Sequence, residues 1–143
     1  METYPNELIR GISNPNDLND EGHVTLSVFV FKQNPLRSDN KEELSINWCD
    51  DYDKAVSVAM NQTKEDGSTQ FRAGVAVIQT STLDEMKKFP ICKGRLDYER
   101  APLEDNTFHG NITCVSGLQK QTRDMIRASL VLSVASIIPQ TSL

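Results

Sequence analysis

Residues 119–138, Gln119-Lys120-Gln121-Thr122-Arg123-Asp124-Met125-Ile126-Arg127-Ala128-Ser129-Leu130-Val131-Leu132-Ser133-Val134-Ala135-Ser136-Ile137-Ile138, form the stretch whose reading governs the architecture. The first half is amphipathic at helical spacing, with Met125 and Ile126 placed inward and Lys120, Arg123, Asp124 and Arg127 outward. In the second half Leu130, Val131, Leu132, Val134, Ala135, Ile137 and Ile138 surround the axis, relieved only by serines. Two readings compete. The β-branched residues suit a strand, whereas the uninterrupted length favours one long helix, and the helix is the expectation. A helix that is apolar all round must be enclosed, because each large side chain left wet forgoes about 1.5–3 kcal/mol. Leu130, Val131, Val134, Ile137 and Ile138 are therefore the expected contact surface for another protein chain, a second copy or a heterologous partner.

Upstream of this segment, Phe108–Val115 reads as a strand broken by Gly117, and Arg95–Ala101 as another with Leu96 and Tyr98 inward. Phe71–Gln79 is the clearest strand, and Gly74 in its middle marks a bulge or the close approach of another backbone. Between these strands Thr82-Leu83-Asp84-Glu85 has the form of a capping box, opening a short helix that buries Leu83, Met86 and Phe89 before Pro90. Leu44–Trp48 reads as a short strand. It is followed by a helix capped by Asp50 or Asp51, with the stripe Ala55, Val56, Ala59 and Met60 and a stop at Gly67. His23–Phe31 alternates and then thickens, as a strand buried on most of both faces does. Pro5, Gly11, Pro15 and Gly22 suggest turns around a short segment Leu8–Ile12. The elements do not alternate regularly enough for a doubly wound sheet. The expected class is α+β, a mainly antiparallel five-stranded sheet with two short helices and a long C-terminal helix, in a single domain spanning 1–143.

Composition narrows the function. The chain has 143 residues, 38% hydrophobic and 24% charged, with 15 bases, 20 acids and a net charge of −5. This balance argues against a nucleic-acid backbone as the main partner. Residues 1–66 hold 13 acids and 6 bases, and residues 67–143 hold 7 acids and 9 bases. Cys49, Cys92 and Cys114 are an odd number with no CxxC pair, so reduced thiols in a cytoplasmic protein are expected rather than a zinc site or a disulfide framework. The first residues carry neither a basic segment nor an apolar core, so no secretory signal is expected. The charge-free tail from Ala128 meets Pro139 well short of the roughly 20 apolar residues of a membrane span.

The candidates for chemistry are few. His109 lies between a turn and a strand, where an imidazole can act as a general base near neutral pH, with Asp105 placed to fix its tautomer. The structural alternative is that His109 bonds a loop carbonyl. His23 would complete a two-histidine acid–base pair, the minimal machinery for cleaving RNA through the 2′-hydroxyl, if the two rings met in space. Asp50, Asp51 and Asp53 are read as helix capping, since a calcium loop needs a Gly and a distal Glu that are lacking. No glycine-rich phosphate loop, nucleophile elbow or HExxH motif is present, and neither metal nor cofactor is expected.

The order Arg10, Gly22-His23-Val24 running into Phe29, Leu44-Ser45-Ile46 and Asn106-Thr107-Phe108-His109-Gly110-Asn111-Ile112 resembles a group of small prokaryotic proteins of unknown function. That group has a GxV…F strand, an LSV-like strand and an NPxHxxI segment, and the likeness covers about two-thirds of the chain in scattered pieces. Thr107 stands where the group has Pro. The resemblance implies a compact prokaryotic domain with His109 at a recurrent position, and it brings no activity. The leading expectation is thus a small cytoplasmic accessory subunit acting through its apolar C-terminal helix. The alternative is a metal-independent hydrolase of the phosphodiesterase or ribonuclease kind, using His109 with Asp105 or His23.

Overall fold

A computed structural model describes residues 2–140. Met1 and residues 141–143, which the single-domain expectation includes, lie outside the described residues. Seven strands form one sheet: β1 (Glu7–Ile12), β2 (Lys32–Gln33), β3 (Lys41–Trp48), β4 (Gly74–Gln79), β5 (Leu96–Arg100), β6 (His109–Val115) and β7 (Val134–Ile138). Their order is β5-β6-β3-β1-β4-β7, with β2 paired alongside β3, and every pairing is antiparallel. Three α-helices complete the α+β fold: α1 (Tyr52–Met60), α2 (Thr80–Met86) and α3 (Lys120–Ser133). The sheet thus has seven strands where five are expected.

The long C-terminal helix is corrected. α3 ends at Ser133, Val134 turns to φ −66° and ψ 119°, and the chain continues as β7. β7 pairs with β4 through Val75↔Ile138, Ala76↔Ile137 and Val77↔Ser136. Two forces favour the change. The β-branched run loses side-chain freedom in a helix, and the edge of β4 would otherwise leave buried N–H and C=O groups unpaired. The tail therefore needs no second chain to enclose a helix.

His23–Phe31 is also corrected. The segment makes one isolated bridge, Leu18↔Val24, and a 3-10 turn at Leu26–Val28 instead of a strand. Val24, Val28, Phe29 and Phe31 are still buried, so the alternation reflects a loop closing over the core. Its carbonyls find a partner in α3: Arg127 Nη2 donates to Leu26 O and Arg127 Nε to Phe29 O, both at 2.7 Å. The segment Leu8–Ile12, expected as a short piece between turns, is the interior strand β1, paired with both β3 and β4. Gly11 is required there, because a Cβ would fall on the ring of Phe71.

The internal helices follow their local signals unequally. Asp51 caps α1 by accepting from Lys54 N at 3.2 Å, with Ala55 and Ala59 buried, and the helix ends at Met60, ahead of Gly67. α2 starts earlier than its expected capping box. Gln79 is its N-cap without a side-chain bond, and Thr80 Oγ1 donates to Pro5 O at 2.7 Å. Leu83 and Met86 are buried as expected, but Phe89 and Met125 are about half exposed, at 47% and 50%.

The two faces of the sheet differ chemically. One carries Leu8, Ile12, Leu44, Ile46, Trp48, Ile78 and Ile112 against Leu83 and Met86 of α2 and Ile126 and Leu130 of α3. Each fully buried side chain of this kind contributes about 1.5–3 kcal/mol. On the opposite face α1 covers Ile9, Val75 and Val77. Beyond α1 that face turns polar, because Glu43, Ser45 and Asn47 of β3 stand beside Thr113, Asn111 and His109 of β6. Among the described residues no helix is long and apolar enough to cross a membrane.

Candidate active site

The polar half of the sheet opens into a cleft of about 920 Å³. Its shape originates in a strand divergence. β3 pairs with β6 over seven residues, from Lys41 to Asn47, but with β1 only at Leu8↔Trp48 and Ile9↔Asn47. Past Ile9 the two strands part, and β2 takes the place beside the far end of β3. Arg10 stands at the fork. Its Nε donates to Val28 O at 3.0 Å and its Nη1 to Ser45 O at 2.8 Å, satisfying a β3 carbonyl at the fork. The end of α1 and the following turn supply Asn61 and Gln62 to the opposite wall.

His109 borders this cleft. The loop from 101 to 108 folds back on itself, with Leu103 N donating to Asn106 O at 3.0 Å and Ala101 N to His109 O at 3.0 Å. Asn106 pins the loop to the sheet: its Nδ2 donates to Asn47 Oδ1 at 2.8 Å, and its own Oδ1 accepts from Phe108 N at 3.1 Å. Both asparagines are buried, so this pair holds the start of β6 rigidly. His109 Nδ1 lies 2.7 Å from Ala101 O. A carbonyl can only accept, so Nδ1 carries the proton, and Nε2 of the neutral ring keeps its lone pair.

Asp105 lines the same cleft as His109, and among the described residues no hydrogen bond or ion pair joins the two. The group that fixes the imidazole is the Ala101 carbonyl. His23 sits on an exposed turn, 3.7 Å from Glu21, and is not among the residues lining the cleft. The structure therefore brings His109 and Asp105 to one site and leaves His23 apart from it. Of the expected partner-binding residues, Leu130 is fully buried in the core, while Val131, Val134 and Ile137 are half-buried against the same core. Ile138 packs against the cluster beneath α1.

Charge in and behind the cleft is unevenly satisfied. Glu43 accepts from Arg37 at 2.8 Å and from Asn34 Nδ2 at 3.2 Å. The same Arg37 Nη1 reaches Glu99 at 2.6 Å, and hydrogen bonds from Arg37 hold the Glu99 carboxyl below the usual range. Among the described residues Arg10 has no carboxylate in hydrogen-bonding contact, and burial pulls its guanidinium down to about 10, with Asp17 partly opposing. The remaining lining is rich in carboxamides, among them Gln33, Asn61, Gln62 and Gln70. Among the described residues there is no group of three or more His, Cys, Asp and Glu arranged to hold a metal ion.

Sequence reasoning passed over Arg10 and Gln62 as site residues. Arg10 did leave a signal, since a charge in the middle of the apolar run Leu8-Ile9-Arg10-Gly11-Ile12 needs a reason. Gln62 left none, because its place in the cleft depends on where α1 docks. Comparison with known proteins finds no family model that matches the chain, no similar curated protein and no similar solved structure.

Proposed function

We propose that the protein is a hydrolase of phosphate esters in which His109, rather than a metal-bound hydroxide, is the base. The observation that carries this reading is the locked ring of His109 on the wall of a cleft large enough for a small substrate. In the reaction Nε2 takes a proton from water, and the water oxygen forms a bond to phosphorus. The bond from phosphorus to the leaving oxygen breaks, and the proton on Nε2 passes to that alkoxide. Water is added across one P–O bond, and His109 returns to its starting state. Asp105 opposes the positive charge that the ring carries midway. Carboxamides on the walls suit a substrate with a polar, hydrogen-bonding body.

The test uses bis(p-nitrophenyl) phosphate and a 2′,3′-cyclic nucleotide as substrates, with chelator present. The wild-type protein should turn over at least one of them, and His109→Ala should lower the rate by about 10²–10⁴-fold. Absence of turnover by the wild type, or an undiminished rate in His109→Ala with an unchanged melting temperature, overturns the proposal.

A second reading, an accessory role through the C-terminal segment, is supported by a different observation. β7 is an edge strand without a charged residue, preceded by Leu132 at 86% exposure. Its test is sedimentation over a range of concentrations. A dimer weakened by Ser136→Pro supports association along β7, and a strict monomer at high concentration removes self-association.

A further inference from the structure

We infer that Arg10 is the oxyanion anchor of the cleft, holding a phosphate group of the ligand in the space that His109 also borders. The inference deepens the hydrolase reading and rests on it for the choice of phosphate. It starts from the fork between β1 and β3. Two of the five N–H donors of the guanidinium are engaged there, Nε with Val28 O and Nη1 with Ser45 O. These bonds fix the plane of the group and leave Nη2 without a partner among the described residues. The nearby acids make no hydrogen bond to it among the described residues, although the charge of Asp17 acts on it from a distance. Asp17 accepts from Ser27 Oγ at 2.7 Å and from Asn14 N at 3.3 Å, and Glu43 is held by Arg37. A half-buried guanidinium held by carbonyls alone has exchanged water for neutral dipoles, an arrangement that an incoming anion improves.

The geometry also selects the kind of anion. Arg10 and His109 line one cleft, together with Ser45, the residue whose carbonyl Arg10 engages. A planar guanidinium with a free edge forms paired N–H···O bonds to two oxygens of one phosphate, which a point charge such as Lys32 on the rim does not reproduce. The structural role of Arg10, closing the fork, and its ligand role use different edges of the same group. Ser45 and Val28 would hold it in place before the ligand arrives, so little ordering accompanies binding.

The decisive measurement uses the intact wild-type protein, so that folding of a variant is not at issue. Inorganic phosphate is titrated at constant ionic strength while the Arg10 Nε–H and His109 ring signals are followed by NMR, with acetate and chloride as separate arms. Saturable movement of the Arg10 signal with a Kd of roughly millimolar order, stronger with phosphate than with acetate, supports the anchor. An Arg10 signal unmoved up to about 50 mM phosphate overturns it. Arg10→Gln, checked for an intact fold, should weaken phosphate binding about tenfold, and Lys32→Gln less than about twofold. Equal weakening by the two variants also overturns the assignment. Phosphate binding at Arg10 without any turnover upholds the anchor and sinks the hydrolase, so the two claims fail separately.

Discussion

Gly74 lies directly beneath the backbone of Ile138, so close that a Cβ on Gly74 would collide with the Ile138 carbonyl and sit 2.9 Å from Pro139 Cα. Gly74 also has φ +101°, a region that other residues rarely occupy. The first residue of β4 thus admits the last residue of β7, and the close approach expected from a glycine in the strand is what the fold contains. Gly74→Ala should destabilise the protein by about 2–4 kcal/mol, through strain together with loss of β7 pairing. Denaturant unfolding measures the loss, and hydrogen exchange at residues 134–138 should rise before exchange elsewhere in the sheet.

Leu130 and Leu132 separate a core role from a surface role within one helix. Leu130 is fully buried and Leu132 is 86% exposed. Leu130→Ala should cost about 2–5 kcal/mol, whereas Leu132→Ser should stay within about 0.5 kcal/mol in the monomer. Equal costs in chemical denaturation would mean that α3 is enclosed on both sides.

Arg127 joins α3 to the loop that replaces the expected strand. Its bonds to Phe29 O, part-buried, and to Leu26 O, exposed, come from a charged donor, and the part-buried one is worth about 1.5–3 kcal/mol. Arg127→Met keeps much of the apolar stem and should lower the melting temperature by several degrees, with faster proteolysis between residues 20 and 31. Unchanged proteolysis of that loop would show that its side chains alone hold it.

Acid should unfold the protein through its arginine-bound carboxylates. Arg37 and Arg100 hold the Glu99 and Asp50 carboxyls below their ordinary ranges. A carboxyl lowered in the folded state stabilises the fold above its ordinary range, and that contribution disappears as pH falls through the lowered value. Urea midpoints should therefore be steady from about pH 7 to 5 and decline below about pH 4. Arg37→Met should lower the midpoint near neutrality and narrow the gap between neutral and acid values. An unaltered gap would show that the cluster does not contribute to acid sensitivity.

Cys49 and Cys114 should resist modification until the fold opens. Burial, helped by nearby acidic groups, pushes their thiols up to about 12 and about 11, and Cys92 is buried as well. Few thiolates exist at neutral pH, so a disulfide reagent should label the native protein slowly and all three cysteines promptly in denaturant. Fast native labelling at a single cysteine would reveal local opening around it.

Much of the element pattern was legible along the chain. The Asp51 cap of α1, the buried Leu83 and Met86 of α2, and the strands around Ile46, Val77 and Ile112 all follow from side-chain spacing and capping chemistry. The break inside residues 119–138 was not legible, because the apolar, β-branched second half suits either conformation. The loop at residues 23–31 was misread for a related reason. Its alternation reports burial, while its hydrogen-bond partner, Arg127, lies about a hundred positions away. Of the residues lining the cleft, His109 and Asp105 stood out in sequence beside a turn, although no hydrogen bond joins them among the described residues. Arg10 showed only as a charge interrupting the apolar run Leu8–Ile12, and Gln62 left no trace in the order of residues.

By itself the amino-acid order determined the α+β class and the antiparallel habit of the strands. These depend on periodicity and on caps, which act over a few residues. Tertiary structure alone decided that Val134–Ile138 completes the edge of β4, that Leu8–Ile12 is an interior strand, and that Arg10 and His109 both border one cleft. Those outcomes depend on which unpaired backbone group or open edge lies across the fold, and a backbone group accepts whichever partner the packing delivers.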